Sequence, residues 1–429
     1  MIRLNNKPTF IDLFAGCGGL SLGLMEAGWQ GLFAIEHCDD AFDTFRYNFI
    51  EGNSDSPHLS SLSWPEWLPR ERVEISEFIK SYRNDLEKIS GQVTLLVGGP
   101  PCQGFSFAGK RVAEDPRNKL FRDYIHLVDI LKPKLVLIEN VEGINVPHDR
   151  QKWLDNGRVE QERDSYSKQI KMLLEQHEYA VSQDTLIAAE YGVPQLRPRY
   201  FTVGIRKDLE NRDSLNIFKI IRGLREGFLT SHGLPINRPV NVMEAISDLL
   251  IFGNGLINYE EPDSQKGFKQ IQYHRPHSDY QKLMHGSING AIMDSMRIPK
   301  HKDETIRKFQ VILKKCRKGV TLSSKERLKL DIPGSSIVPL SEDKPSHTLT
   351  TLPDDLLHYM EPRIHTVREH ARLQSFPDWF KFRGKYTTGG ARRVAECPRY
   401  TQVGNAVPPL LAEAVGLGLI ELLQYLDQE

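Results

Sequence analysis

The chain has no net charge. Its 56 Lys and Arg balance 56 Asp and Glu over 429 residues, so whole-chain charge gives no pull toward nucleic acid or membrane. Cysteine is scarce. Cys17, Cys38, Cys102, Cys316 and Cys397 are scattered and odd in number, which argues against a disulfide framework and for a reducing, cytoplasmic compartment. No CxxC pair or His/Cys cluster has zinc spacing, so no metal is expected. No run of about 18 uncharged apolar residues occurs, so no membrane span is expected. The start, Met1 to Lys7, lacks the apolar core of a signal peptide. What is present, 39% apolar and 26% charged residues, is enough for a core. The length allows two domains or one large domain with insertions.

Leu95-Leu96-Val97-Gly98-Gly99-Pro100-Pro101-Cys102-Gln103-Gly104-Phe105-Ser106 stands out. Val93 to Val97 reads as a buried strand. Two glycines and two prolines stop it abruptly. Cys102 follows, just beyond a strand carboxyl end, where open α/β sheets bind ligands. On this stretch alone, nucleophile and structural cysteine are equally open readings.

The flanking chain has the same grammar. Pro8 to Phe14 reads as a strand, Ala15-Gly16-Cys17-Gly18-Gly19 as a tight turn and Leu20 to Gly28 as a helix, the opening of a Rossmann-like unit. The next strand, Gly31 to Ile35, ends on Glu36, where a cofactor ribose would be held. Asp40 to Phe49 reads as a helix with core aromatics, and Glu51 to Arg72 as an irregular insertion. Asp85-Leu86 is placed to meet an adenine amino group or to sit in a polar loop. After Cys102, Phe107 to Asn118 is a candidate lid. A helix over Leu120 to Leu131 is followed by a strand, Lys134 to Ile138, that ends in Glu139-Asn140-Val141. A thiol and a carboxyl at neighbouring strand ends make a nucleophile and an acid. Pro147 to Ser167 reads as a polar stretch and Tyr166 to His177 as a helix. Arg197 and Arg199 precede the strand Tyr200 to Gly204 and point to one side. They face an anionic or carbonyl-bearing substrate, or form a surface salt bridge. The stretch Ser295 to Leu330 holds twelve Lys/Arg against three Asp/Glu, and a helix is read over Pro408 to Leu426.

Together these motifs resemble the cytosine-C5 DNA methyltransferase family. The resemblance is carried by Phe10 to Gly19, Gly99 to Ser106, Glu139-Asn140-Val141 and Gln195-x-Arg197-x-Arg199. It continues in Arg368 to Pro377 and Gln402-Val403-Gly404-Asn405-Ala406-Val407-Pro408-Pro409. One departure is His365 before Thr366, where many members have an aliphatic residue. The RNA-methylating branch carries a Cys-Phe-Thr tripeptide, and no cysteine here is followed by Phe-Thr.

The resemblance implies a Rossmann-like α/β catalytic domain over residues 1–207 and 395–429, a small target-recognition domain over 208–380 and a hinge over 381–394. It implies a monomer acting on double-stranded DNA, with a cognate restriction endonuclease as genetic partner. Cys102 is then the nucleophile on cytosine C6, and Glu139, with a raised pKa, the donor to N3. Arg199 holds the carbonyl O2, and Arg197 supports the site and phosphates. S-adenosyl-L-methionine would lie against Phe14, Ala15, Gly16, Gly18, Gly19, Leu20, Glu36, Asp85, Leu86, Pro100, Leu120, Asn405 and Val407. Ser106, Lys110, Arg111, Gln195, Arg297, Lys300 and Lys302 are the implied DNA contacts.

Overall fold

The computed structural model describes residues 7–100, 117–146, 148–153, 159–209, 216–260, 267–286, 293–332, 337–387 and 396–427. Cys102, Ser106, Lys110 and Arg111, and the candidate lid up to residue 116, lie outside the described residues.

Near-continuous apolar runs make the central strands, as expected where a sheet is covered on both faces. They are β1 (Thr9–Leu13), β2 (Gln30–Ile35), β3 (Leu95–Gly98) and β4 (Leu135–Asn140). A hairpin of β5 (His148–Trp153) and β6 (Val159–Asp164) follows, then β7 (Tyr179–Ile187), the two-residue β8 (Gln195–Leu196) and β9 (Pro198–Arg206). The main sheet runs β2-β1-β3-β4-β9-β7. Its first four strands are parallel. β9 is antiparallel to both of its neighbours.

Helices cover both faces. On one side lie α1 (Gly19–Glu26), the helix Ile217–Ser231 and the C-terminal helix Pro409–Leu426. On the other lie the helices Ile75–Ser81, Arg117–Leu131 and Tyr166–Gln176. α1 and the C-terminal helix nearly touch backbones at Gly23. A Cβ there would stand 2.4 Å from both the Ala412 Cβ and the Pro409 carbonyl. The segment Arg399–Leu426 is long and apolar enough to cross a membrane by composition, yet 72% of its apolar window is buried within the protein. It is a core helix here.

Two readings change. The polar stretch after Pro147 contains the β5–β6 hairpin. The unit after residue 208 mixes helices with short strand pairs, and its basic stretch forms the helices Asp303–Lys315 and Ser324–Lys329. The helix Ile217–Ser231, read as part of the small unit, packs on the C-terminal helix, where a Cβ at Gly418 would strike the Ile221 side chain at 2.4 Å.

Candidate active site

β1 delivers the chain into a turn that starts at Phe14, whose φ of 61° is left-handed and costs a non-glycine residue about 1 kcal/mol or more. The glycines that follow do different jobs. A Cβ at Gly18 would enter the Phe45 and Phe49 rings at 2.9 and 2.5 Å, and one at Gly19 would meet the Val407 carbonyl at 2.4 Å. These two let α1 pack. A Cβ at Gly16 would meet none of the described residues within 4 Å, so the turn is open among them there. Ala15 and Leu20 are buried.

Glu36 locks this turn to β2. Its Oε2 accepts the Gly16 N–H at 2.9 Å. Its Oε1 accepts the His37 and Cys38 N–H groups at 2.9 and 2.8 Å and pairs with His37 Nδ1 at 3.0 Å. That hydrogen bond, against partial burial, raises the exposed His37 imidazole to about 9. Sequence reasoning passed over Asp12, which lies under the turn. It accepts the Ser21 hydroxyl at 2.5 Å, and burial is the main cause that lifts its carboxyl to about 7. Its only sequence signal was a carboxylate inside an otherwise apolar strand.

Strand pairing builds the second half of the site. Glu139 on β4 stands opposite Phe201 on β9. Arg199 is two residues before Phe201, so its side chain leaves the same face on the diagonal, within reach of a long side chain. Arg199 Nε meets Glu139 Oε1 at 2.6 Å, with both side chains largely buried. Burial pushes the Glu139 carboxyl up, and the charges of Arg199 and Arg197 pull against it. The net direction is upward. Gly99 sits directly over this carboxyl: its Cβ would lie 3.0 Å from Glu139 Oε2. Chain from Gly99 through the buried Pro100 leads to Cys102, three residues on. Beside Glu139, both amide atoms of the buried Asn140 lack a hydrogen-bond partner among the described residues.

Arg197 and Gln195 depart from expectation. The Arg197 guanidinium is 1% exposed and donates to the carbonyls of Leu349, Gly404 and Ala406 at 3.0, 2.6 and 3.1 Å. Caged by oxygens, it has no face for a phosphate. It ties the site to the end of the chain. Gln195, expected on the DNA side, is fully buried. It donates to the Leu373 carbonyl and the Gln374 side chain and accepts the Leu349 N–H at 2.8 Å.

The other expected positions divide. Val407 is buried and Asn405 exposed at the C-terminal end of a short helix. Leu120 is half-buried against the core. Asp85 is partly exposed and pairs with Lys88 at 2.8 Å. Leu86 is 0% exposed; its side chain belongs to the core and cannot face a ligand. Arg297, expected on phosphates, is sandwiched between Phe268 and Tyr386, its guanidinium 4.1 and 3.6 Å from the ring centres. Lys300 is exposed beside Phe268, and Lys302 is exposed at the start of the helix Asp303–Lys315.

Comparison with known proteins agrees with this geometry. The family described as C-5 cytosine-specific DNA methylase matches residues 8–421. Type II methyltransferase M.DdeI of Desulfomicrobium norvegicum is 30% identical over 416 residues, which span 94% of this chain and 86% of that protein. Type II methyltransferase M1.HphI of Haemophilus parahaemolyticus is 30% identical over 418 residues, 96% of this chain and 87% of that protein. Among solved structures, a prophage-encoded E. coli protein assigned as a DNA modification methyltransferase superposes with a TM-score of 0.61 at 25% identity, covering 97% of this chain and 100% of its own. A central mixed sheet with helices on both faces, a glycine turn braced by an acid and a Glu–Arg pair at the next strand ends thus accompany a match along nearly the whole sequence, and the chain belongs to the C-5 cytosine-specific DNA methylase family.

Proposed function

We propose that this DNA cytosine-5 methyltransferase works through a covalent Cys102–C6 intermediate, with S-adenosyl-L-methionine as methyl donor. One observation carries the reading: the buried Glu139–Arg199 pair lies under Gly99, three residues before Cys102. C6 of a stacked base is out of reach, so the target cytosine has to leave the duplex, at a cost of a few kcal/mol.

The Cys102 thiolate adds to C6 and the ring electrons move toward N3. Glu139 delivers a proton to N3 and accepts from the exocyclic amine. A carboxyl held above its ordinary range by burial suits that task near neutral pH. Arg199 offers its guanidinium to O2, where negative charge develops. Arg197 acts at one remove by holding the Gln195–Arg199 segment against the 349 and 404–406 carbonyls. C5 then carries the electron density that a methyl group takes up. Loss of the C5 proton to water expels the Cys102 thiolate, Glu139 takes the N3 proton back, and the aromatic ring is restored.

The adenosyl cofactor fits the residues present. The turn at Gly16, open among the described residues, admits a ligand against the backbone, and Glu36 presents a carboxylate at the strand end where a ribose diol is held. When bound, S-adenosyl-L-methionine supplies the electrophilic methyl group. Phe14, the turn from Ala15 to Gly19, Pro100, Leu120, Asn405 and Val407 would line its site, with Asp85 toward the adenine.

The biological reading is modification of double-stranded DNA by a monomer, protecting it from a cognate restriction endonuclease. The test is incubation with labelled S-adenosyl-L-methionine and mixed-sequence duplex DNA, followed by bisulfite sequencing. The expected result is 5-methylcytosine confined to one short sequence context. Cys102→Ser should abolish turnover and keep DNA binding; unchanged turnover would sink the nucleophile assignment. Label on transfer RNA and none on DNA would redirect the reading to RNA.

A further inference from the structure

Charge is unevenly sorted in the second half of this neutral chain. From Thr305 to Lys325 there are seven Lys and Arg and no Asp or Glu. The stretch folds as most of the helix Asp303–Lys315, a turn and the start of the helix Ser324–Lys329. Phe309 and Ile312 bury one face of the first helix in a small apolar cluster with Leu322, Ile337, Leu357 and Ile364. Two of the seven cations are paired: Lys308 with Glu304 and Asp331 at 3.0 and 3.2 Å, and Lys318 with Glu342 at 2.9 Å. The other five are exposed. Three of them, Lys314, Lys315 and Arg317, fall within four residues and have no ion pair or hydrogen bond among the described residues.

Cations in the last turn of a helix answer its dipole, which accounts for Lys314 and Lys315 on an isolated helix. Arg317 lies past the helix end, and the place of the turn in the fold is a second observation. Two residues after Arg317, the Gly319 N–H donates to the Pro339 carbonyl at 2.6 Å. The Gly319 carbonyl accepts from His347 Nε2 at 3.0 Å. His347 pairs with Leu196 of β8 across two parallel strands, and the Thr348 hydroxyl donates to the Leu196 carbonyl at 2.7 Å. Leu196 is 48% exposed, and the chain runs on from it to Arg197 and Arg199. The basic turn is therefore moored to the surface strand that leads into the candidate active site. Arg317 stands within about 8 Å of that mooring along the backbone.

We propose that Lys314, Lys315 and Arg317 form a phosphate grip for duplex DNA on the flank of the target cytosine, holding the backbone rather than reading bases. Duplex DNA presents one negative charge per about 1.7 Å of its axis, and each cation that meets a phosphate releases condensed counterions. Such contacts fix register and add affinity without carrying sequence information. Lysine ammonium groups on long stems follow a backbone of any sequence, and the Arg317 fork takes a phosphate through two N–H groups. The grip rests on the double-stranded DNA reading above and on no part of the thiol chemistry.

The experiment measures binding of the whole protein to two fluorescein-labelled duplexes of unrelated sequence, each about 30 base pairs long, by anisotropy between about 50 and 300 mM salt. The variant is Lys314→Gln with Lys315→Gln and Arg317→Gln. Its plot of log affinity against log salt should be shallower by about 2–3, close to 0.9 for each lost contact. Affinity should fall by about ten-fold or more, equally on both duplexes. An unchanged slope overturns the proposal, and unequal weakening overturns the backbone reading. The control removes the same charge at the opposite edge of the sheet. Lys132 and Lys134 precede β4 and Lys207 follows the antiparallel β9, so Lys132→Gln with Lys134→Gln and Lys207→Gln should move the slope by less than about 0.5. An equal drop in both variants makes the effect one of net charge and overturns the grip. No binding of the unaltered protein to either duplex overturns the double-stranded DNA reading and the grip with it, whereas binding with an unchanged slope overturns the grip alone.

Discussion

At the end of β4 one buried carboxyl, Glu139, meets one arginine nitrogen at 2.6 Å. In the second half of the chain another, Asp378, meets Arg372 through both oxygens, each at 2.5 Å. Asp378 also faces His285 at 3.1 Å, and Arg372 reaches on to Asp248 and the Ala245 carbonyl. The ingredients are the same, a buried acid and a guanidinium, and the outcomes are opposite. Burial pushes both carboxyls up. Around Asp378 the charge of Arg372 and the His285 hydrogen bond win, and the acid is held well below its usual range. Around Glu139 they lose, and it stays raised. The difference is the degree of pairing. Asp378 meets three nitrogens, two from Arg372 and one from His285, and is held as an anion that serves structure. Among the described residues Glu139 meets one, which leaves it the carboxyl suited to the proposed proton transfer.

The largest expected effect comes from breaking the less fully paired acid. Glu139→Gln removes the acid and keeps the shape, so kcat should fall by about 10²–10⁴ while the thermal unfolding midpoint barely moves. A normal kcat in Glu139→Gln would mean that another group protonates N3. The converse follows for Asp378→Asn. Arg372 would be left underpaired in the core, at a cost of about 3–5 kcal/mol in urea unfolding, while the folded fraction should keep its turnover. Loss of turnover at full stability would reverse the assignment of the two regions.

Much of the geometry of the first region was legible from sequence because it is local. Strands end in the residues proposed for the chemistry, and the spacing of Arg197 and Arg199 fixes which side they leave. What was misread depended on distant chain. Nothing near Arg197 announces that the carbonyls of Leu349 and Gly404 arrive from 152 and 207 residues away; those oxygens turn an expected phosphate ligand into a strut. Gln195 was misplaced for the same reason. Arg297 read as one charge in a basic stretch because the Phe268 and Tyr386 rings that cover it come from other segments. The β5–β6 hairpin was missed because His148–Trp153 and Val159–Asp164 are mostly polar and lack the apolar alternation that marks a strand.

Next in size is an acid sensitivity that the second region should confer. His358, His365 and His370 are buried, and their rings lie in sequence at 5.2 and 5.5 Å. His358 faces the Arg363-paired Glu369 at 3.4 Å, whereas neither ring nitrogen of His365 or His370 has a hydrogen-bond partner among the described residues. Burial is the main cause that depresses all three, His370 to about 4. A depressed group is neutral in the fold and charges more readily once unfolded. The stability it preserves is therefore full above about pH 6.5 and is lost as pH falls toward about 4, by about 3 kcal/mol for His370 alone. Urea midpoints across that window check the slope. His365→Leu should flatten it, with a larger gain at pH 5 than at pH 8. An unchanged slope would place the acid-labile group elsewhere.

The smallest effect sharpens where the two regions meet. His232 closes the helix Ile217–Ser231, and its Nε2 pairs with Glu413 of the C-terminal helix at 3.2 Å. Burial works against the imidazolium, but the Glu413 hydrogen bond and charge outweigh it and raise the pKa. A cation at a helix carboxyl end is favoured as well. The sign is opposite to that of the buried trio: the stabilisation is present below about pH 6.5 and is lost as pH rises through the folded-state value. Glu413→Gln should therefore cost about 0.5–1 kcal/mol at pH 6 and less at pH 9. The same variant asks to which unit Ile217–Ser231 belongs. If it folds with the catalytic sheet, the loss appears in the one transition that also reports cofactor binding. If it folds with the small unit, as its place in the sequence suggested, that transition is unmoved.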